Sequence, residues 1–295
     1  MNQRRFFAVI LAAALTLSLL VGCGGNAASS GSAGGSTPAD TNGSQESQGS
    51  TEPMTLTVGM ECNYAPFNWT QVESDDYSVA LEGAGYAGGY DVVMAKALAD
   101  KIGATLVIKK LAWEGLEPAV TSGEIDAIIA GMTATPERQQ NADFTTPYYE
   151  SEMVCIVRAD DPLANATSLA DFSGKNVQGQ QNTLYDDIID QIPGVNHMTP
   201  LASYPLMVLA LQNGEADALT AELPVATGVV TSNPNLAIVQ FADGQGFEAD
   251  TTVSIAVKKG NTELLNALQA ALDTIDPATR TQWMTDAVSR QPANE

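Results

Sequence analysis

The stretch WEGLEPAVTSGEIDAIIAGMTATPER, residues 113–138, decides the fold class. Its first part has helical periodicity and stops at Gly123, since glycine adopts the left-handed backbone that commonly ends a helix. The apolar run 125–129 follows and predicts a buried strand. A helix, a glycine and a buried strand in this order indicate an α/β sheet.

A second stretch, LALQNGEADA at 209–218, repeats this order. Two interpretations stay open: any αβ unit with a glycine at the helix end looks like this, or the chain forms two similar lobes. Strand and helix signals alternate from residue 54 to about 288 and predict a mostly parallel sheet covered by helices. Because ligands bind at the carboxyl ends of such strands, we expect a site just after Ile129 and Thr220.

Composition narrows the function classes. The chain has 295 residues, with 13 Lys plus Arg against 35 Asp plus Glu, and a formal net charge of -22. This charge argues against nucleic-acid binding because phosphate would be repelled. Three cysteines and one histidine argue against a disulfide scaffold and a Cys/His metal site. No metal ion or cofactor is expected, and the length suggests two domains.

The N-terminal segment predicts export. Arg4 and Arg5 precede an apolar run at 6–21, which ends in Leu-Val-Gly-Cys at 20–23. This junction resembles the bacterial lipobox, so residues 1–22 are predicted to be a signal peptide and Cys23 to carry lipid; a plain signal peptide or one membrane anchor are the alternatives. The Gly/Ser-rich segment 23–53 predicts a flexible tether. The protein is therefore expected at the outer face of the bacterial cytoplasmic membrane, held there by lipid.

Polar residues follow both central strands. Gly131 allows close backbone approach, while Thr133 and Arg138 offer donors that suit a carboxylate. Glu222 follows the second strand and could receive an ammonium group. The alternatives are a surface Arg138 that pairs with Glu137 or Asp143, and a solvated loop Glu222.

Three further positions complete a candidate α-amino acid site. Tyr64 and Trp113 follow strand ends and could wall a ligand side chain, although each aromatic alone is more often core. Thr183 opens a helix whose backbone N–H groups would point at an anion, and a simple helix cap is its alternative. Asp91 is predicted to cap the helix that begins near residue 92.

The run 113–138, with 64–68, 89–91, 143–149 and 254–260, resembles the polar amino-acid-binding lipoproteins of bacterial ABC importers, extracellular solute-binding family 3. The resemblance covers residues 54–290. It implies a periplasmic-binding-protein type II fold: two α/β lobes with a ligand cleft between them, joined by two strand crossovers. Lobe 1 is expected at 54–150 and 253–295, and lobe 2 at 151–252.

The resemblance also implies roles for eight residues. Tyr64 and Trp113 would enclose the ligand side chain, and Glu61 would contact its distal part. The Gly131 carbonyl and Glu222 would bind the ligand ammonium group, while Thr133 and Arg138 would bind its carboxylate. Thr183 would be at the start of the second-lobe helix that faces the ligand. The chain departs from the family pattern with Asn182 where Gly is frequent, and with Glu222 where Asp is usual. The loop 70–88 is longer than the family minimum and has no predicted role.

The predicted function is capture of a polar amino acid, with a basic or amide side chain, and its delivery to an ABC importer permease. A monomer without catalytic residues is expected. The alternatives are a sensor subunit of a membrane receptor and a secreted dehydratase or lyase on the same fold, for which the single His197 is predicted to be a surface residue instead of a base. Cys62 and Cys155 are predicted to be free thiols in different lobes.

Overall fold

The computed structural model describes residues 54–292. The predicted signal peptide, the lipidated Cys23 and the tether 23–53 lie outside these residues. Within the described range, no helix has the length and apolar character needed to cross a membrane.

Residues 54–292 form sixteen strands and eight α-helices, together with short 3₁₀ turns. The strands are β1 (Thr55–Met60), β2 (Asn63–Tyr64), β3 (Asn68–Gln71), β4 (Val79–Ala80), β5 (Tyr86–Gly88), β6 (Thr105–Lys110), β7 (Ala127–Ile128), β8 (Ala142–Phe144), β9 (Tyr149–Glu150), β10 (Met153–Arg158), β11 (Asn176–Gln178), β12 (Asn196–His197), β13 (Ala218–Glu222), β14 (Leu236–Val239), β15 (Thr252–Val253) and β16 (Ala256–Lys258). The helices are α1 (Tyr90–Ile102), α2 (Trp113–Ser122), α3 (Arg138–Asn141), α4 (Leu184–Asp187), α5 (Tyr204–Gln212), α6 (Leu223–Ser232), α7 (Thr262–Asp273) and α8 (Pro277–Arg290).

Two five-stranded sheets form the centres of two lobes. The first has the order β6-β1-β7-β16-β8 and the second the order β12-β11-β13-β10-β14. In the first sheet β1 pairs in parallel with β6 and β7, and in the second β11 pairs in parallel with β12 and β13. The predicted α/β fold with two similar lobes is confirmed.

The prediction of mostly parallel sheets is only partly right. Strand β16 runs antiparallel to β7 and β8, and β10 runs antiparallel to β13 and β14. Both strands enter their sheet directly from the other lobe. Because no crossover helix precedes them, nothing turns the chain back into the parallel direction.

The chain passes between the lobes along a short antiparallel pair. Strands β9 and β15 lie side by side, with Glu150 opposite Thr252 and Tyr149 opposite Val253. All strands of the second sheet lie between these two crossings in the sequence, and β16 returns to the first sheet. Helices α7 and α8 then pack on α1, on the first lobe.

The core extends through both lobes. Tyr90, Tyr148 and Phe67 are among the largest fully buried side chains of the first lobe, and Phe172 is the counterpart in the second. Burying a side chain of this size stabilises the fold by about 1.5–3 kcal/mol. The same apolar cluster includes Tyr64 and Tyr204, whose rings lie 5.6 Å apart across the cleft.

The two repeated stretches have the predicted local structure. Helix α2 ends at Gly123 (φ 84°), whose N–H donates to the carbonyls of Ala119 and Val120. Helix α5 is followed by Gly214 (φ 77°). Strands β7 and β13 come next, and the C-terminal end of each strand lies at the cleft.

One local prediction is wrong. Asp91 does not cap α1, because Gly89 is at the cap position and the Asp91 carboxylate is buried in the first lobe, where it accepts other hydrogen bonds. The helix that Thr183 opens is short: α4 is followed at once by a 3₁₀ turn at Ile188–Gln191.

The structure also shows what the long loop forms and where the two cysteines lie. The loop 70–88 contains the second half of β3 and all of β4 and β5, and these strands form a small sheet with β2. Cys62 in the first lobe and Cys155 in the second are free and buried, and burial raises the pKa of both thiols.

Candidate functional site

Glu222 is a buried carboxylate at the end of β13. Its side chain is 0% exposed and accepts three hydrogen bonds from hydroxyl groups: Tyr64 at 2.6 Å, Tyr185 at 2.6 Å and Ser151 at 2.7 Å. Burial raises the pKa of Glu222, and the three hydroxyl donors partly offset this rise. The alternative of a solvated Glu222 in a loop is wrong, because Tyr64 of the first lobe and Tyr185 and Ser151 enclose its carboxylate.

Glu61 is the second carboxylate of the cleft. It follows β1, is 5% exposed, and its two oxygens lie 3.3 and 3.2 Å from the Gln180 amide nitrogen of the second lobe. Burial raises the pKa of Glu61 to about 7 although the Gln180 hydrogen bond lowers it, and the negative charge of Glu114 adds to the rise. Within residues 54–292 no ion pair involves Glu61 or Glu222.

A series of buried hydrogen bonds centred on Asp91 stabilises the loops of the first lobe that face the cleft. The Gly131 N–H donates to the Tyr148 hydroxyl at 2.9 Å, and that hydroxyl donates to Asp91 at 2.7 Å. Asn68 donates to the other Asp91 oxygen at 2.8 Å and accepts from the Cys62 N–H at 2.7 Å. One carboxylate thus holds the loops after β1 and β7, and burial raises the pKa of Asp91 to about 7.

The position of Gly131 requires a residue without a side chain. Its φ is 63°, and a Cβ atom there would lie 3.2 Å from Cε1 of Tyr64. Tyr64 stacks on Phe67 with ring centroids 5.5 Å apart, so it has little room to retreat. Gly131 therefore lets the loop after β7 approach the tyrosine that contacts Glu222.

Arg138 is a buried cation held by three acceptors. Its Nε donates to Glu117 at 3.0 Å, Nη1 to the Thr133 carbonyl at 3.1 Å and Nη2 to the Asn182 carbonyl at 3.0 Å. The guanidinium carbon lies 5.2 Å from the centre of the Trp113 ring. The alternative of a surface arginine paired with Glu137 or Asp143 is wrong.

Thr183 and Trp113 lie beside Arg138 at the cleft rim. Thr183 is the cap residue of α4, but its hydroxyl donates to the Gln180 carbonyl at 2.7 Å instead of capping the helix. Trp113 Nε1 donates to the Asn182 carbonyl at 2.9 Å. A rim cavity of about 360 Å³ opens here, lined by residues of α2, α3 and α4 that include Trp113, Arg138 and Thr183.

The structure brings the eight residues selected from the sequence to one cleft. Glu61, Tyr64, Gly131 and Glu222 are buried inside the cleft, while Trp113, Thr133, Arg138 and Thr183 lie toward the rim. Gln180 joins the two groups because it contacts Glu61 and Thr183, whereas Asn182 contacts Trp113 and Arg138 within the rim group. Their roles toward a ligand stay predictions.

Several partners of these residues were not identified from the sequence. Tyr185 and Ser151 contact Glu222, Gln180 contacts Glu61, and Glu117 contacts Arg138. The spacing of Glu117 four residues after Trp113 was an available signal, because residues at that spacing share one face of a helix. No local sequence pattern indicated that Tyr185 and Ser151 would both contact Glu222.

His197 lies apart from this set. It is exposed, as predicted, and its two ring nitrogens lie 2.9 and 2.8 Å from carboxylate oxygens of Asp186 and Asp190. Among residues 54–292 no group of His, Cys, Asp and Glu is arranged to hold a metal ion.

A family model for bacterial extracellular solute-binding proteins, family 3, matches residues 56–284. The chain belongs to this family. This solute-binding protein is 33% identical over 190 residues to ABC transporter arginine-binding protein 1 of Escherichia coli, covering 63% of this chain and 75% of that protein. It is 30% identical over 223 residues to the L-cystine-binding protein TcyJ of the same species, covering 75% of this chain and 77% of the relative.

A solved structure has the same fold. The amino acid ABC transporter substrate-binding protein AbpA from Streptococcus pneumoniae, bound to L-arginine, superposes with a TM-score of 0.69 and 27% identity. The match covers 80% of this chain and 94% of AbpA. The members of this family are described as extracellular solute-binding proteins.

Proposed function

We propose that this solute-binding protein captures an α-amino acid with a cationic side chain between its two lobes and delivers it to an ABC importer permease. An amide side chain is the next candidate. The relative named for arginine and the AbpA structure with L-arginine support this proposal. The L-cystine-binding relative shows that the family extends to other amino acids, so the side chain must be argued from this cleft.

The observation that carries the proposal is the pair of buried carboxylates without a cation. Glu222 accepts only from hydroxyls and Glu61 only from an amide. A buried ion that lacks an opposite charge costs several kcal/mol, because neutral donors replace only part of its hydration. A ligand with two positive groups, an α-ammonium for Glu222 and a side-chain cation for Glu61, removes this cost at both sites.

The remaining ligand groups have partners toward the rim. Arg138 suits the α-carboxylate because a guanidinium presents paired donors to its two oxygens. Tyr64 and Trp113 would contact the aliphatic part of the side chain. Closure of the two lobes over the ligand would be the change that the permease recognises, as a shift of population between open and closed forms.

The predicted lipid on Cys23 fits this task. Two acyl chains hold a protein stably at a membrane, whereas an anionic protein gains nothing from an anionic lipid surface. The tether 23–53 would then let the lobes reach a permease in the same membrane. This solute-binding protein is proposed to act as a lipid-anchored monomer.

A ligand screen tests the proposal. Thermal shift of the purified protein against the twenty amino acids, L-ornithine and L-cystine should give the largest rise in Tm with L-arginine, L-lysine or L-ornithine. A ligand at a hundred times its Kd adds about 2.7 kcal/mol to the free energy of unfolding. A larger rise with L-glutamine would transfer the proposal to amide side chains, and no rise with any of these compounds would show that the amino-acid assignment is wrong.

A further inference from the structure

We propose that Glu117 and the main-chain carbonyl of Asn182 are positioning groups, which orient the guanidinium of Arg138 toward the carboxylate of the ligand. The Asn182 contact comes from the second lobe, so lobe closure completes the orientation. The inference rests on the proposed function, because it takes Arg138 as the partner of the α-carboxylate.

The count of donors supports this arrangement. A guanidinium has five N–H groups, one on Nε and two on each terminal nitrogen. Glu117, the Thr133 carbonyl and the Asn182 carbonyl each take one, on Nε, Nη1 and Nη2 respectively. One N–H remains on each terminal nitrogen, and two donors of this kind match the two oxygens of a carboxylate.

Helix α2 fixes the guanidinium from the first lobe. Trp113 and Glu117 are four residues apart and lie on one helix face, where the indole covers the guanidinium at 5.2 Å and the carboxylate accepts from its edge. The Glu117 side chain is 36% exposed against 10% for Arg138. Because water screens a charge that is exposed to this degree, Glu117 acts mainly through the position of its acceptor oxygen.

Asn182 fixes the guanidinium from the second lobe. Its carbonyl accepts from both Arg138 and Trp113, so one oxygen joins two donors of the first lobe. This carbonyl direction depends on a φ of 59°, in the left-handed region that glycine and asparagine tolerate better than other residues. The Asn182 side chain is exposed, so a substitution there changes mainly the backbone preference.

The Glu117 test compares two substitutions and a matched control. Titration calorimetry with L-arginine should show a loss of about tenfold in affinity for Glu117→Ala, equivalent to 1.4 kcal/mol. Glu117→Gln should lose less, because its amide oxygen can still accept from Nε. Glu263→Ala removes the same charge from an exposed position of helix α7, outside the cleft, and should leave the affinity unchanged.

A second probe separates positioning from general stability. L-argininamide lacks the carboxylate charge, so its affinity should be nearly the same in Glu117→Ala and in the wild type, and the preference for L-arginine over L-argininamide should shrink. Equal affinity for L-arginine in Glu117→Ala and the wild type, or equal losses in Glu117→Ala and Glu117→Gln, would overturn the role of Glu117.

The Asn182 test uses the backbone. Asn182→Gly should keep the affinity for L-arginine, whereas Asn182→Val should lose about tenfold, since a β-branched residue is strained at this φ. Asn182→Ala serves the same purpose if the valine variant is unstable, and the Tm of each unliganded variant reports folding. Wild-type affinity in Asn182→Ala and Asn182→Val would overturn the role of the carbonyl.

Arg138→Ala distinguishes the two failures. If Arg138→Ala loses binding while Glu117→Ala and Asn182→Val keep it, only the positioning inference is wrong. If the wild type binds no amino acid, or Arg138→Ala binds L-arginine as the wild type does, the proposed function itself is wrong and the inference falls with it.

Discussion

The inside of the cleft and its rim differ in the sign of the charged groups proposed to bind the ligand. Inside, two carboxylates, Glu61 and Glu222, accept hydrogen bonds from neutral side chains. At the rim one cation, Arg138, donates to acceptors, two of which are main-chain carbonyls. The cleft therefore offers two carboxylates inside and one guanidinium at its rim, and an α-amino acid with a cationic side chain would complement these three groups.

The two regions also differ in their response to protons. A guanidinium stays charged at every pH that a protein tolerates, whereas a buried carboxylate with a raised pKa changes charge near neutrality. Affinity that depends on the rim should thus be constant with pH, and affinity that depends on the interior should not. Each prediction below changes one region and leaves the other intact.

The largest effect is expected from Arg138→Ala, which removes the rim cation. Breaking a buried charge pair costs about 3–5 kcal/mol, so every α-amino acid should lose roughly a thousandfold in affinity. Arg138→Lys keeps the charge without the paired donors and should fall between. Calorimetry measures both variants, and a residual affinity within about tenfold of the wild type would place the carboxylate partner elsewhere.

Glu222→Gln should have the next largest effect. The amide oxygen can still accept from Tyr64 and Tyr185, and the amide nitrogen can donate to the Ser151 hydroxyl, but the charge that the ligand ammonium needs is lost. A loss of about 3 kcal/mol, roughly a hundredfold in affinity, is expected. The Tm without ligand should not fall, because a buried charge is removed.

The exposed Glu152 provides the control for Glu222. Glu152→Gln removes an equal charge close to the start of β10 and should leave both affinity and Tm as they are. An equal loss of affinity in the two variants would mean that the overall charge of the protein, and not a contact at Glu222, governs binding.

Glu61→Gln should have a smaller and selective effect. The affinity for L-arginine should fall by about tenfold, because the side-chain cation loses its charged partner, and the affinity for L-glutamine should change little. Calorimetry with both ligands on both proteins gives the comparison. Equal losses for the two amino acids would remove the argument for a cationic side chain.

The smallest effect is the pH dependence that Glu61 produces. Its folded pKa of about 7 lies above the ordinary value of 4.5, and a cationic ligand requires the ionised form. Affinity for L-arginine should therefore rise with pH between about 5 and 7, by no more than the roughly tenfold expected from Glu61→Gln. The Glu61→Gln variant should show a flatter profile, and the difference isolates Glu61 from Asp91, which titrates in the same range.

Stability without ligand should change in the opposite direction. A carboxyl group with a raised folded pKa contributes stability that is fully present below pH 4.5 and is lost as the pH rises through about 7. The Tm of the wild type, measured relative to Glu61→Gln, should decrease over this window. A difference in Tm that stays constant with pH would show that Glu61 is not protonated in the folded protein.

The sequence was informative where the determinants are local. Gly123 ended a helix as predicted, and the positions after the two central strands identified Arg138 and Glu222 as members of one cleft. It was not informative where distant segments meet. Asp91 has the local pattern of a helix cap, but Asn68 and Tyr148 draw its carboxylate into the core.

Strand direction and the partners of charged residues depend in the same way on the whole path of the chain. Strands β10 and β16 run antiparallel because of two lobe crossings that no local pattern reports. Tyr64 and Tyr185 are 121 positions apart in the sequence, yet both donate to the same oxygen of Glu222. Only the assembled lobes bring these groups together.

The hydrogen bond between the Trp113 indole and the Asn182 carbonyl spans the two lobes. The chain has three tryptophans, and Trp69 donates within the first lobe to Gln71 while Trp283 lies on α8. With Trp69 and Trp283 replaced by phenylalanine, the emission of Trp113 alone would report whether its indole N–H meets a carbonyl or water. The protein thus carries an intrinsic optical probe of its own hinge motion, which can be read without an attached dye.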